Sequence, residues 1–124
     1  MTHALAASPA VYQQQAVLTA SPGQLVVMLY DGTCRFLTQA AHAMRDGDRM
    51  RSHQRLRRAE AIIDELLCTL NPDAGEIAGQ LQGIYVFCKQ QLAEARLEDD
   101  AGRVEWVCEQ FADLREAWAQ IAAS

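Results

Sequence analysis

Apolar residues recur along much of this chain at the three-and-four spacing of an amphipathic helix, broken by short polar stretches. The first helical pattern opens at Ser21-Pro22-Gly23-Gln24. Serine suits the N-cap, proline the first turn, and Gln24 can reach back to complete a capping box. The spacing predicts a helix from about Pro22 to Arg45, ended by Asp46-Gly47-Asp48. A second helix is expected from about Arg49 to Leu70, because Pro72 disfavours helix in Asn71 before it. Asp73, with Glu76 three residues on as its box partner, predicts the start of a third helix that reaches about Glu98. Asp99 or Asp100 caps a fourth, which continues to near Ala122.

Each segment carries an apolar stripe. The second offers Leu56, Ala59, Ile63, Leu66, Leu67 and Leu70; the fourth offers Val104, Val107, Cys108, Phe111, Leu114, Trp118 and Ile121. Connections this short leave no room for crossovers, so neighbouring helices must run antiparallel. The expected architecture is all-α: an antiparallel four-helix bundle over residues 21–124. Residues 1–20 differ, being rich in Ala, Ser, Gln and Thr, and read as an N-terminal arm or short extra helix.

Two helices exceed what one buried stripe needs. Leu25-Val26-Val27-Met28-Leu29-Tyr30 and Ile84-Tyr85-Val86-Phe87-Cys88 are unbroken apolar runs. At about 100° per residue such runs reach around the whole helix. Either the arm, through Val11, Tyr12, Val17 and Leu18, and the bundle edges cover the outward faces, or they form a groove for an apolar partner segment. Both hold if the arm covers the groove and yields to a client. Trp106 lies about 120° from the centre of its helix's stripe, by the same step. It is either a contact anchor or packed against a neighbouring side chain.

Composition narrows the function classes. With 124 residues, half of them apolar, the chain has the size of one domain. No apolar run approaches a bilayer span, and Met1 to Ala10 lack the pattern of a secretory signal, so a cytoplasmic protein without membrane insertion is expected. Net charge is −5, unevenly spread. Residues 1–62 hold seven arginines against four acids; residues 63–124 hold four bases against twelve. The acidic half argues against a nucleic-acid partner. Half of the ten arginines cluster between Arg49 and Arg58, and Arg51, Arg55 and Arg58 share one helix face. Positive charge at a helix start opposes the macrodipole, so helix stability does not explain the cluster. It is either a dock for an acidic partner or a solvated face pairing loosely with Glu60.

Candidate chemistry is sparse. Cys34, Cys68, Cys88 and Cys108 show no metal spacing. From the helical rise, Cys34 and Cys88 fall near mid-bundle, Cys68 near one end and Cys108 toward the other, which reads as small core side chains and no metal site. His3, His42 and His53 belong to no Glu-x-x-His or HExxH pair. Without a phosphate loop, nucleophile elbow or acid–base pair, neither an enzyme nor a cofactor is expected. A histidine phosphotransfer bundle would need an exposed histidine beside Lys and Gly, which His42 and His53 lack. A structural homodimer that buries its extra apolar faces stays open, so the expected state is a monomer or weak homodimer.

Tyr12, then Ala20-Ser21-Pro22, Leu25, Met28-Leu29-Tyr30-Asp31-Gly32, Phe36-Leu37 and Ala40 together resemble the N-terminal signature of the FliS family of flagellin export chaperones. Ile62-Ile63, Glu65-Leu66, Leu70, Gly75-Glu76-Ile77-Ala78, Leu81, Tyr85, Leu92 and Leu114-Arg115-Glu116-Ala117-Trp118 follow in family order. The resemblance implies an antiparallel helical bundle that binds the disordered C-terminal segment of flagellin in the cytosol, prevents early polymerisation and aids delivery to the flagellar export gate. It further implies that Tyr12 belongs to the movable arm, and that Leu25, Leu29, Tyr30 and Tyr85 contribute to the client groove. With the exposed-face readings, the expected contact set is Tyr12, Val17, Leu18, Leu25, Leu29, Tyr30, Ile84, Tyr85 and Trp106.

Overall fold

Each helix begins and ends at a local chemical signal. A computed structural model describes residues 21–123. Helix α1 spans Pro22–Arg45, α2 Arg49–Thr69, α3 Glu76–Glu98 and α4 Ala101–Ala123. Ser21 caps α1 with a reciprocal box: its hydroxyl accepts from the Gln24 amide at 3.3 Å, and the Gln24 side chain accepts from the Ser21 amide at 2.9 Å. Asp48 accepts from the Arg51 amide at the head of α2, and Asp100 from the Arg103 amide at the head of α4. Asp99 takes the left-handed conformation that ends α3.

The entry to α3 departs from the expected capping box. Asn71, not Asp73, accepts at this junction, taking the Asp73 amide at 3.0 Å. That bond opens a single 3-10 turn, Pro72–Ala74. Gly75 then swings to φ 84°, ψ −146°, a conformation that side-chain-bearing residues avoid, and α3 starts at Glu76 without a side-chain cap. The proline explains the shift, since its fixed φ suits the first position of a turn.

Cross-helix ion pairs fix the direction of travel. Arg45 meets Glu105 at 2.5 Å and Asp31 meets Arg115 at 2.9 Å, so α1 and α4 run opposite ways. Glu60 with Arg96, and Asp64 with Lys89, do the same for α2 and α3. Each helix packs against the next, and α4 closes the ring on α1. The four-helix architecture matches the sequence expectation. The arm expected over residues 1–20 lies outside the described residues.

The core is built mainly from the expected stripes, although Ile121, placed on that of α4, is 62% exposed. Leu56, Ala59, Ile63 and Leu66 of α2, and Val104, Val107 and Phe111 of α4, are buried against Tyr30, Leu37, Ala40, Ala41 and Met44 of α1. Helix α3 adds Leu81, Tyr85, Cys88, Leu92 and Ala95. Among these pairings α1 lies closest to α2 and α4, while α3 stands further out. Gly32 permits one close approach: a Cβ there would meet the Ile62 side chain at 3.1 Å.

Cys108 does not sit where the helical rise alone puts it. It lies beside Cys34 on the packed α1–α4 seam, each thiol reaching the other's carbonyl at 3.6 Å. The hydrogen bond with Cys108, followed by burial, holds the Cys34 thiol well above its usual range. Antiparallel packing of α1 on α4 brings these positions together. Among the described residues no group of three or more His, Cys, Asp or Glu side chains could hold a metal ion.

Candidate functional site: an apolar groove between α3 and α4

Helix α3 carries two stripes offset by one residue. Leu81, Tyr85, Cys88 and Leu92 point into the core. Gln80, Gly83, Ile84 and Phe87, at i, i+3, i+4 and i+7, lie beside them on the outer side. Trp106 and Gln110, one turn apart on α4, complete the opposite wall. Together these residues enclose an open groove of about 550 Å³, with Cys88 at its base. Ile84, Phe87 and Trp106 remain 38%, 48% and 40% exposed. The Phe87 and Trp106 rings meet edge to face, centroids 5.9 Å apart and planes at 80°. Val86 and Ile77 extend the exposed apolar surface of α3.

The polar groups around the groove are few and uncharged. Gln110 donates to the Trp106 carbonyl at 3.4 Å, and Gln80 lies on the other wall. Burial pushes the Cys88 thiol up to about 11, so it stays protonated and unreactive at neutral pH. The wall has no nucleophile with a base beside it and no paired acids. What it offers is rigid aromatic area with a glycine gap between turns. That is a surface for holding an apolar helix or extended segment.

The predicted contact residues separate into groups. Ile84 and Trp106 are brought together on the groove. Tyr30 and Tyr85, which the resemblance put in the client groove, are in the core. Their hydroxyls share a hydrogen bond of 2.5 Å, and both rings pack on Phe111, with Trp118 edge-on to Tyr30. Burial is the main cause that raises both phenol pKa values; the shared bond raises Tyr30 further and pulls Tyr85 slightly back. The correction has a simple cause: in each run one residue must point at the bundle axis, and an aromatic whose hydroxyl finds a partner fills that position well. Leu25 and Leu29 are half-buried along with Val26, Val27 and Met28, so the first two turns of α1 present no open wall. Tyr12, Val17 and Leu18 lie outside the described residues.

Phe87 was missed as a contact residue, although the run containing it was noticed. The available signal was the i, i+3, i+4, i+7 repeat that links Gln80, Gly83, Ile84 and Phe87.

The basic cluster also differs from expectation. Glu60 is engaged by Arg96 of α3, so it does not serve the arginines of α2. Arg51 and Arg58 are exposed and Arg55 is half-buried.

Comparison with known proteins places the chain among relatives of one kind. Residues 4–124 match the sequence model of the family described as "Flagellar protein FliS". The chain is 36% identical over 113 residues to the flagellar secretion chaperone FliS of Bacillus subtilis, covering 91% of this chain and 84% of the relative. It is 36% identical over 111 residues to that of Salmonella typhimurium, covering 88% and 82%. For the Campylobacter jejuni protein of the same name the figures are 35% over 111 residues, 89% and 87%.

Proposed function

Because this chain belongs to the FliS family, whose relatives are flagellar secretion chaperones and not enzymes, we propose that its client is the C-terminal segment of flagellin and that the α3–α4 groove seats part of it. The observation that carries this reading is the Phe87–Trp106 pair, two large side chains left in water on a helix pair that could have buried them. A segment that is disordered alone loses chain entropy on docking, so its chaperone must offer ample apolar area. The groove and the neighbouring Val86 and Ile77 supply such area.

In this reading the chaperone works in the cytoplasm, keeps flagellin from polymerising early and presents it to the export gate. Among the described residues no helix is long and apolar enough to cross a membrane. Residues 1–20 act as an arm that rests on apolar surface and yields to the client through Tyr12, Val17 and Leu18. Removing residues 1–17 then raises binding of a hydrophobic dye while helical circular dichroism is retained; unchanged dye binding overturns the arm's role.

The decisive test is co-purification with a flagellin C-terminal fragment. Phe87→Asp should abolish capture while leaving the helical signal intact. Undiminished capture by that variant removes the groove from the mechanism, and failure of the unaltered chain to bind removes flagellin as the client. A Tyr30 substitution is no control here, because that side chain is wholly buried and its loss would destabilise the bundle itself.

A further inference from the structure

Helix α2 opens with five arginines in its first ten residues and no acid in its first turn. The arrangement works against the helix, whose N-terminus already carries partial positive charge. None of Arg49, Arg51, Arg55, Arg57 and Arg58 is in an ion pair among the described residues, while the acids on the α3 side of α2, Glu60 and Asp64, are taken by Arg96 and Lys89. Arg55 adds a sharper sign, since its Nε is shielded from water and has no acceptor among the described residues. Beside these charges Met50 stands 85% exposed, and Met50, Gln54, Arg57, Arg58 and Ala61 line a shallow depression of about 500 Å³.

Arginine with exposed methionine is the composition of a protein-binding surface, in contrast to lysine-rich, apolar-poor phosphate tracks. A polyanion would also meet the strongly acidic second half of the chain. We propose that the outer face of α2 docks an acidic amphipathic segment of a second protein, with carboxylates on Arg51, Arg55 and Arg58 and an apolar side chain on Met50. This surface is separate from the α3–α4 groove and does not depend on what that groove holds.

The test measures, with the full chain at low salt, binding of a synthetic helical peptide bearing glutamates on one flank and leucines on the other. Its lysine-for-glutamate counterpart and a single-stranded oligonucleotide are run beside it. The acidic peptide should bind, weaken as salt rises, and keep its affinity on the Phe87→Asp variant. Arg51→Glu should weaken it by roughly tenfold or more, since it removes one charged hydrogen bond and adds repulsion. The same substitution places an acid in the first turn of α2, so its melting temperature should rise. That opposite movement separates a docking role from a structural one. No binding of the acidic peptide, equal binding of its lysine counterpart, tighter binding of the oligonucleotide, or Arg51→Glu leaving affinity unchanged each overturns the proposal. So does salt-sensitive self-association abolished by Arg51→Glu, which would make a second copy of the chain the occupant.

Discussion

The apolar runs Leu25–Tyr30 and Ile84–Cys88 look alike as strings of letters, yet the bundle treats them differently. In the first, Leu25 through Leu29 are each half-covered and Tyr30 is buried. In the second, burial is divided sharply: Tyr85 and Cys88 are almost wholly enclosed while Ile84, Val86 and Phe87 stay open. Neighbours make the difference. Helix α1 is gripped closely by α2 and α4, helped by Gly32, whereas α3 stands further from both its partners. A continuous apolar run therefore stays open to water only where its helix stands out from the bundle, as it does on α3.

The contrast can be broken most forcefully at the residues that differ most. Tyr30→Ala should lower unfolding free energy by about 3–5 kcal/mol, the range for emptying a large buried aromatic site. Phe87→Ala on α3 should cost under about 1 kcal/mol of stability while weakening client capture. Urea denaturation of both variants decides it, and equal losses would erase the distinction between the runs.

Alkaline pH comes next. Tyr30 and Tyr85 are held neutral in the folded chain, with pKa values above the usual tyrosine range. An unfolded tyrosine releases its proton above about pH 10, so beyond that point the unfolded state binds fewer protons than the folded one and stability falls. Below it the pair contributes its full share. Denaturant titrations between neutral pH and the alkaline limit should show this decline. The double variant Tyr30→Phe/Tyr85→Phe should make it shallower, leaving only the share of the buried thiols Cys34 and Cys88. A smaller effect follows from breaking the pair on one side. Tyr85→Phe alone should cost about 1–3 kcal/mol by leaving the buried Tyr30 hydroxyl without a partner, whereas the double variant should be closer to neutral.

The smallest effect has the opposite sign. Gly79 and Gly83 are interior to α3, and a Cβ at either meets nothing within 4 Å. Gly79→Ala and Gly83→Ala should each add about 0.5–1 kcal/mol by helix propensity. Gly83 also lines the groove, so only its alanine variant should alter client binding. If both variants bind alike, the gap at Gly83 in the groove wall does not matter.

How much of this was legible in the sequence depends on whether the signal was local. The Ser21–Gln24 box, a cap at Asp99 or Asp100 and most of the stripes of α2 and α4 each rest on residues within one or two turns, and each was readable. Trp106 was correctly seen as lying off its stripe, and it is part-exposed. What failed needed phase or neighbours. An unbroken apolar run states that a helix is apolar all round but not which residue faces the axis, and the resemblance put Tyr30 and Tyr85 in the client groove. Heights taken from helical rise ignored how α4 slides along α1, which separated Cys34 from Cys108. The partner of Glu60 was sought on its own helix when it stood on α3.

The Tyr30–Tyr85 bond joins helices that sit diagonally across the bundle, reaching through a core that is otherwise almost all hydrocarbon and ring. Leucine and valine layers tolerate a slip of one turn with modest repacking. Two hydroxyls that satisfy only each other do not, because a slip would strand both away from water at about 1–3 kcal/mol each. The pair thus acts as a registry mark, a single point of agreement that tells α3 how far along α1 to settle. Once it is set, Phe87 arrives level with Trp106.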